Sequence, residues 1–275
     1  MDVGTVIHAA SQWVPFAART VAYGTVSLTL GPLTKDHRAS LWAMRKWSQN
    51  SALGLDIHTE PIDLHNVPKP PFVYAVNHQS LLDVLVLGGV LPHDFKWAAK
   101  SSLMKIPFLG WHLQLAGHVP VERGRGSRAA AAVIERFVDV LRAGKPLLIF
   151  PEGTRSEDGV LRGFRNGGFH AAIRGNAPCV PVALEGTSGL LKKHAKAIQI
   201  DTRTVRVRIG KPIHALPKGE IREGARVADL RDRTRAAVAE LVLEIGGKVG
   251  EDVVPPTSEP PTGGARTGRE SSASI

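Results

Sequence analysis

The 275-residue sequence has a single cysteine, Cys179, which excludes a disulfide framework and a metal cluster held by thiolates. Such a chain is typical of a reducing compartment, so exposure to the cytosol is the simplest interpretation. The histidines show neither an H-E-x-x-H pattern nor a Cys/His ligand spacing, and we therefore predict no metal site. Neither a serine nor Cys179 lies in a G-x-S-x-G setting, which argues against nucleophilic catalysis.

A long apolar run is also missing. Between residues 13 and 33 the only charged side chain is Arg19, but the uncharged run over residues 20–34 has 15 members. Crossing a bilayer takes roughly 20 apolar residues, so this run is too short to span one. Residues 1–12 lack the basic start of a signal peptide, and we predict that the segment is not cleaved.

The N-terminal stretch nevertheless has the composition of helices that rest on lipid headgroups. Its interfacial aromatic residues and its cations are Trp13, Phe16, Trp42, Trp47, Arg19, Arg38, Arg45 and Lys46. Aromatic rings mixed with cations are typical of helices lying in a membrane interface. We predict a membrane-seating helical pair over residues 1–51; the alternative is two helices packed on the core.

Acidic residues are scarce, since 25 acids face 35 basic residues, for a net charge of +10. Residues 251–275 hold four acids and two arginines, so the rest of the chain carries +10 − (−2) = +12. A positive body suits nucleic acid, an anionic bilayer surface or a phosphorylated substrate. We find no nucleic-acid recognition motif and no aromatic platform, and we predict no nucleic-acid partner.

Residues 250–275 combine four prolines with serine, threonine and glycine, which predicts a disordered tail. We find no internal repeat, so a folded domain is predicted over residues 52–249. Within it, strands are predicted at residues 72–76, 95–99, 118–121, 147–150, 180–184 and 205–209, the last with its arginines outward. Helices are predicted at residues 81–89, 127–142 with Ser127 as the N-cap, 169–174 and 227–245. Alternating strands and helices indicate an α/β fold.

Three loops at the ends of predicted strands carry reactive or charged side chains. In the first, residues 77–83, Asp83 falls on the first turn of a helix and can reach back to the ring of His78. A carboxylate there would hold the imidazole in one tautomer and stabilise its cation, as in a catalytic pair. The alternative is a capping-box-like helix start with an ordinary loop histidine.

The second loop is F-P-E-G-T-R-S over residues 150–156, where Gly153 allows close backbone approach and Arg155 offers a forked donor for phosphate. The third, residues 121–128, brings three arginines to a helix N-terminus, a favourable place for an anion. An ordinary charged turn and a solvated basic loop are the respective alternatives.

Taken in order, these segments resemble the glycerolipid acyltransferase family, in particular its bacterial 1-acylglycerol-3-phosphate acyltransferases. The family's HxxxxD block is present as His78 to Asp83, the second block as residues 117–123, FPEGTRS as residues 150–156 and the fourth block as residues 180–184. The resemblance covers about residues 70–190. It implies a mixed sheet flanked by helices, with an N-terminal helical pair that seats the enzyme on the membrane.

The resemblance also implies roles for the site residues. His78 takes the proton from the acceptor hydroxyl, Asp83 orients His78, and the hydroxyl attacks an acyl thioester directly. The residues assigned to the glycerol phosphate are Arg123, Glu152, Gly153, Thr154 and Arg155. Glu152 would either orient an arginine or bind a hydroxyl, and the sequence leaves both open.

The resemblance implies a lysophospholipid acceptor, with acyl-CoA or acyl carrier protein as the acyl donor and no cofactor or metal. We expect the enzyme on the cytoplasmic face of the cell membrane, peripheral to an anionic surface. Acceptors with another lysolipid or glycolipid headgroup remain an alternative, as does a non-catalytic lipid-binding protein, although the intact His78 and Asp83 argue against the latter.

Overall fold

The computed structural model describes residues 3–122, 126–156, 158–191, 204–219 and 221–250. Within these residues the strands are β1 (His58–Ile62), β2 (Val73–Val76), β3 (Lys96–Lys100), β4 (Val119–Val121), β5 (Leu147–Ile149), β6 (Val160–Leu161), β7 (Cys179–Glu185), β8 (Thr204–Ile209) and β9 (Lys248–Val249). The α-helices are α1 (Val3–Leu30), α2 (Arg38–Gly54), α3 (Asp83–Val90), α4 (Leu109–Leu115), α5 (Ser127–Arg142), α6 (Gly167–Arg174) and α7 (Glu223–Glu244).

Seven of these strands form one sheet in the order β1-β8-β7-β2-β5-β3-β4. Every neighbouring pair is parallel except β7 and β8, which run antiparallel. Strands β6 and β9 form a separate parallel pair. The α/β prediction, with a mixed sheet flanked by helices, is therefore confirmed.

Both faces of the sheet are covered, which explains why β2 is apolar throughout. Val73 and Ala75 face a core layer made with α5, α6 and α7, whereas Tyr74 and Val76 face a second layer made with α2 and α3. All four are fully buried. A strand buried on both faces shows a continuous apolar run, and that run is what made β2 recognisable in the sequence.

The edge strand β1 was not predicted from the sequence. Strand β1 reads H-T-E-P-I, is largely exposed and contains Pro61, a combination that gives no strand signal and that only an edge strand tolerates. The short pair β6 and β9 was missed as well. Strand β8 behaves as predicted, with Val205 and Val207 buried while Arg206 points outward.

All four predicted helix starts differ from the observed ones; α6 begins two residues and α7 four residues earlier than predicted. Helix α5 begins at Ser127 itself, with Gly126 as the N-cap and no side-chain cap bond, so the prediction of Ser127 as N-cap was wrong. Gly126, with an extended backbone, occupies the N-cap position that was predicted for Ser127. Helix α3 begins at Asp83, two residues later than predicted.

The N-terminal helices pack against each other through small residues. A Cβ atom at Gly31 would lie 2.1 Å from Ser40 Oγ, and one at Gly88 would lie 2.5 Å from Ser48 Oγ. Glycine and serine at these contacts let α1, α2 and α3 approach closely. Trp47 Nε1 also donates a hydrogen bond of 3.0 Å to Thr20 Oγ1, which joins α2 to α1.

Most of the aromatic residues that were expected to contact the membrane pack against the protein. Trp13, Phe16 and Trp47 are partly buried and pack against the core layer beside α3, so much of their surface contacts the protein. On a helix, positions 13, 16 and 20 share one face, and here that face meets the protein. Trp42 is the exception, being 52% exposed.

Among the described residues, no helix is long and apolar enough to cross a membrane. The predicted tail, apart from Gly250, lies outside the described residues.

Candidate active site

Three neighbouring parallel strands, β7, β2 and β5, end at the same edge of the sheet. His78 follows β2, the 150–156 loop follows β5, and Thr187 follows β7. In open α/β sheets the carboxyl ends of the strands are where ligands bind. The order of the strands thus places three loops from distant parts of the chain side by side.

The structure brings His78 and Asp83 into direct contact. His78 Nδ1 lies 2.7 Å from Asp83 Oδ2, and the Asp83 side chain is fully buried at the first position of α3. The same Oδ2 accepts hydrogen bonds from the backbone N–H groups of Gln79 (2.8 Å) and Ser80 (3.0 Å). The Asp83 carboxylate therefore accepts backbone N–H groups of the loop before α3 and also pairs with the imidazole of His78.

Stacking and backbone bonding hold the His78 ring in place. The ring of Phe150 stacks on it with centroids 4.0 Å apart and an angle of 19° between the planes. The backbone N–H of Ser156 donates to the His78 carbonyl at 2.8 Å. The His78 side chain is only 12% exposed, and no described residue bonds its Nε2.

Glu152 is buried and turned toward backbone rather than toward an arginine side chain. Its Oε1 accepts from the N–H of His78 at 2.8 Å, and its Oε2 accepts from the N–H of Arg162 at 3.0 Å. Burial raises the pKa of the Glu152 carboxyl, while these two bonds oppose the shift. The sequence left two roles open for Glu152, orienting an arginine or binding a hydroxyl; in the described residues its carboxylate oxygens instead accept backbone N–H groups and clamp the His78 loop.

The remaining residues of this loop line the same edge. Gly153 has φ +74°, a left-handed conformation that favours glycine, and a Cβ there would lie 2.6 Å from Arg165 Nε. Thr154 is exposed, and Arg155 is half-buried. Neither a hydrogen bond nor an ion pair links the Arg155 guanidinium to any described residue, which leaves it available for an anion.

Arg123, the other predicted phosphate ligand, lies outside the described residues. Its strand, β4, ends at Val121 and is separated from β5 by β3. The carboxyl end of β4 therefore opens on the same edge of the sheet, two strands away from the 150–156 loop.

Sequence reasoning missed the residues at the end of β7. Thr187 Oγ1 lies 2.6 Å from Asp83 Oδ1, and Gln79 Nε2 donates to Glu185 Oε2 at 2.6 Å. Asn77 likewise ties the loop to β7, because its side chain pairs with both the N–H and the carbonyl of Leu184. The position of these residues was the available signal. Glu185 and Thr187 are polar and follow the predicted buried strand at residues 180–184, at the edge of the sheet where the ligand site was expected.

An imidazole bonded through Nδ1 to a buried carboxylate, with Nε2 unused, is built to accept a proton from a bound substrate. The adjacent loop adds an unpaired arginine for an anionic group. The fold and the site together define an α/β protein with a histidine–carboxylate pair that is chemically able to act as a general base.

Comparisons with known proteins identify which enzymes of this kind the chain resembles. The sequence matches the Acyltransferase family over residues 59–185. It is 32% identical over 229 residues to the 1-acyl-sn-glycerol-3-phosphate acyltransferase of Saccharomyces cerevisiae, covering 82% of this chain and 73% of the relative. It is 27% identical over 233 residues to the Pseudomonas aeruginosa enzyme of the same name, covering 83% and 88%.

The fold is similar to the crystal structure of the 1-acyl-sn-glycerophosphate (LPA) acyltransferase PlsC from Thermotoga maritima. The TM-score is 0.72 at 25% identity, with 87% of this chain and 96% of that chain covered. The chain spans about half the length of the chloroplast relatives that it matches. The chain belongs to the acyltransferase family.

Proposed function

We propose that this protein is a 1-acyl-sn-glycerol-3-phosphate acyltransferase, which moves a fatty acyl group from a thioester to the free hydroxyl of lysophosphatidic acid. The observation that carries the proposal is the contact between His78 and the buried Asp83, beside a loop that presents Arg155. The names of the relatives support the choice of acceptor.

In the proposed mechanism His78 is a general base. Its Nδ1–H donates to Asp83, so Nε2 carries the lone pair that removes the proton of the acceptor hydroxyl. The hydroxyl oxygen attacks the thioester carbonyl carbon, and the resulting intermediate expels the thiolate. The proton on Nε2 then passes to the thiolate, which restores the neutral imidazole. The negative Asp83 stabilises the imidazolium between these steps.

Direct transfer agrees with the state of the only cysteine. Cys179 is fully buried at the start of β7, and burial raises the pKa of its thiol to about 12. A neutral, buried thiol is neither accessible nor nucleophilic. An acyl-cysteine intermediate is therefore not part of the proposal.

For the phosphate of the acceptor we propose Arg155, with the backbone around Gly153 and Thr154 and with Arg123 from the β4 loop. The unpaired, half-buried guanidinium of Arg155 supports this assignment, since a planar fork matches phosphate oxygens. The acyl donor is acyl-CoA or acyl carrier protein in this proposal, and no cofactor or metal takes part.

We further propose that the enzyme sits on an anionic membrane surface at the cytoplasmic face of the cell membrane. Its lipid-facing surface consists of Ile7, Val14, Val21, Ile106 and Trp111, which are 43–65% exposed. Positions 7, 14 and 21 form one stripe along α1, because a spacing of seven residues is nearly two helical turns.

The stripe on α1 and the residues around α4 lie close to each other. Phe108, just before α4, packs on Gly24, three residues after Val21. Trp111 is in α4, and the segment leading to it starts at the carboxyl end of β3, on the edge that carries His78. Lys100 and Lys105 are exposed in this segment and supply charge for anionic headgroups.

The decisive experiment is acyl transfer by the purified protein to a panel of acceptors, with acyl-CoA and acyl carrier protein as donors. We expect lysophosphatidic acid to be the best acceptor, and we expect His78→Ala to lower turnover about 10²–10⁴-fold while the protein stays folded. A wild-type protein that prefers a neutral acceptor would refute the proposed substrate. A His78→Ala variant above half of wild-type turnover would refute the proposed mechanism.

The phosphate assignment is tested by Arg155→Ala, with Arg136→Ala on the exposed face of α5 as the matched control. We expect KM for lysophosphatidic acid to rise in Arg155→Ala, while KM for the donor stays near the wild-type value. Equal losses for donor and acceptor would assign Arg155 a structural role instead.

The membrane proposal is tested by flotation with vesicles containing phosphatidylglycerol. The combined change Val14→Ser, Val21→Ser and Trp111→Ser should release the protein, because it removes apolar area that enters the interface. Leu243→Ser on α7 is the control, since Leu243 is 51% exposed but lies outside this surface. Equal flotation of both variants would mean that this surface does not seat the enzyme.

A further inference from the structure

Thr187 lies two residues beyond the end of β7, one strand away from His78, and is fully buried. Gly186, just before it, has φ +103°, and a Cβ there would lie 2.5 Å from the carbonyl oxygen of Thr204. Only glycine makes this turn without a clash. The turn brings the Thr187 hydroxyl to Asp83.

The two oxygens of Asp83 have different partners. Oδ2 accepts from His78 Nδ1 and from the N–H groups of Gln79 and Ser80. Oδ1 lies 2.6 Å from Thr187 Oγ1 and has no other partner among the described residues. Because a carboxylate bears no proton, the threonine hydroxyl is the donor in this bond.

We propose that Thr187 is a positioning residue for acyl transfer: its hydroxyl holds the Asp83 carboxylate at the angle that keeps Oδ2 against His78. The inference rests on the proposed general-base role of His78. An aspartate side chain rotates easily about its last bond, so a carboxylate held at one oxygen alone can turn away from the imidazole. A donor on Oδ1 prevents that rotation.

The neighbours of Thr187 favour this orientation of the hydroxyl. Gln79 Oε1 is the only other acceptor recorded for it in the described part of the chain, and that oxygen is 3.4 Å away. The hydroxyl has one proton, and the shorter distance assigns it to Asp83. Gln79 is itself held through Nε2, which donates to Glu185 Oε2 and to the carbonyl of Gly159.

The test compares Thr187→Val, which keeps the shape and loses the hydroxyl, with Thr187→Ser, which keeps the hydroxyl. Thr187→Val loses a hydrogen bond to the charged Asp83, and we therefore expect kcat to fall roughly 10- to 100-fold. KM for donor and acceptor should stay within about twofold, and Thr187→Ser should recover most of kcat. Removal of a purely structural contact would not produce this pattern.

Thr234→Val is the matched control. Thr234 is also fully buried and donates to a carbonyl, that of Leu230 at 2.6 Å, but it lies within α7. We expect Thr234→Val to affect the melting temperature without changing kcat. Wild-type kcat in Thr187→Val, the same loss of kcat in Thr234→Val, or no recovery in Thr187→Ser would overturn the inference.

Proton NMR separates this inference from the proposed substrate, because it needs no acceptor. The hydrogen-bonded Nδ1 proton of His78, assigned by its loss in His78→Ala, should shift in Thr187→Val and return in Thr187→Ser. An unchanged resonance in Thr187→Val would contradict the inference even if the wild-type enzyme acylates lysophosphatidic acid. A shifted resonance would support it even if another lipid proves to be the acceptor.

Discussion

His78 and His112 lie in two regions of the molecule that treat a histidine in opposite ways. At the edge of the sheet, His78 Nδ1 faces a buried carboxylate. At the contact between α1 and α4, His112 Nδ1 lies 2.5 Å from the Ser27 hydroxyl, and its buried Nε2 has no partner in the described part of the chain. Burial, and then the charge of Lys96, lower the pKa of His112 to about 4.

The two histidines differ in the partner of Nδ1, which is a buried carboxylate for His78 and a neutral hydroxyl for His112. In the proposed mechanism, Asp83 compensates the charge that the His78 imidazole gains when it takes the substrate proton. His112 bonds a neutral hydroxyl, and desolvation and the charge of Lys96 outweigh that of Asp94, so the imidazole is held neutral and joins two helices. Residue type alone does not separate the two histidines; Asp83, five residues after His78, does.

Removing the charge of Asp83 should abolish the difference between His78 and His112, and we expect it to cause the largest loss of turnover. In Asp83→Asn the side chain keeps its shape but no longer stabilises the imidazolium, so turnover should fall about 10²–10⁴-fold. Steady-state kinetics measure the loss, with Asp229→Asn on α7 as the control because, in the described part of the chain, Asp229 pairs with Arg233 far from His78 in sequence. Turnover above a tenth of wild type in Asp83→Asn would contradict the explanation.

Glu152→Gln should give a smaller loss at the same site. Both oxygens of Glu152 accept backbone N–H groups, and the amide NH₂ of glutamine would turn a donor toward one of them. A lost bond to a charged group is worth about 1.5–3 kcal/mol, which corresponds to roughly 10- to 100-fold in kcat if the His78 loop shifts.

The control for Glu152→Gln is Glu135→Gln, since Glu135 is an exposed partner of Arg174. Equal activity in both variants would show that the His78 loop keeps its position without the Glu152 clamp. A loss confined to Glu152→Gln, with donor and acceptor KM unchanged, would support the clamp.

Acid should destabilise the α1–α4 contact through His112, and this is the smallest effect. The folded-state pKa lies below the ordinary value, so the unfolded chain binds the proton and stability falls as pH drops from about 6.5 toward 4. Between pH 7 and pH 5 this amounts to about 2 kcal/mol. His118, which is buried nearby with its pKa also lowered, changes stability in the same direction.

Denaturant unfolding at pH 7 and pH 5 measures how much the free energy of unfolding falls between the two pH values. His112→Gln should reduce the difference between the two pH values, whereas His58→Gln, at a side chain that is 60% exposed, should leave it unchanged. An equal acid sensitivity of wild type and His112→Gln would show that other groups cause the loss.

The N-terminal helices show where sequence reasoning failed and why. Aromatic rings and cations in residues 1–51 indicated a helical unit, but composition does not tell which side of a helix meets the protein. Trp13 and Phe16 are partly buried because the α1 face that they share packs against the core layer beside α3. Val14 and Val21, which drew no attention in the sequence, are the exposed ones.

The sequence by itself determined the His78–Asp83 contact, because a strand, a short loop and a helix start bring residues five apart together by local geometry. Only the tertiary structure decided what holds that pair. Glu152 meets His78 from 74 positions away, and Thr187 meets Asp83 from 104 positions away. Those contacts exist because β7, β2 and β5 are neighbours in the sheet, and that order depends on long-range packing that no local pattern encodes.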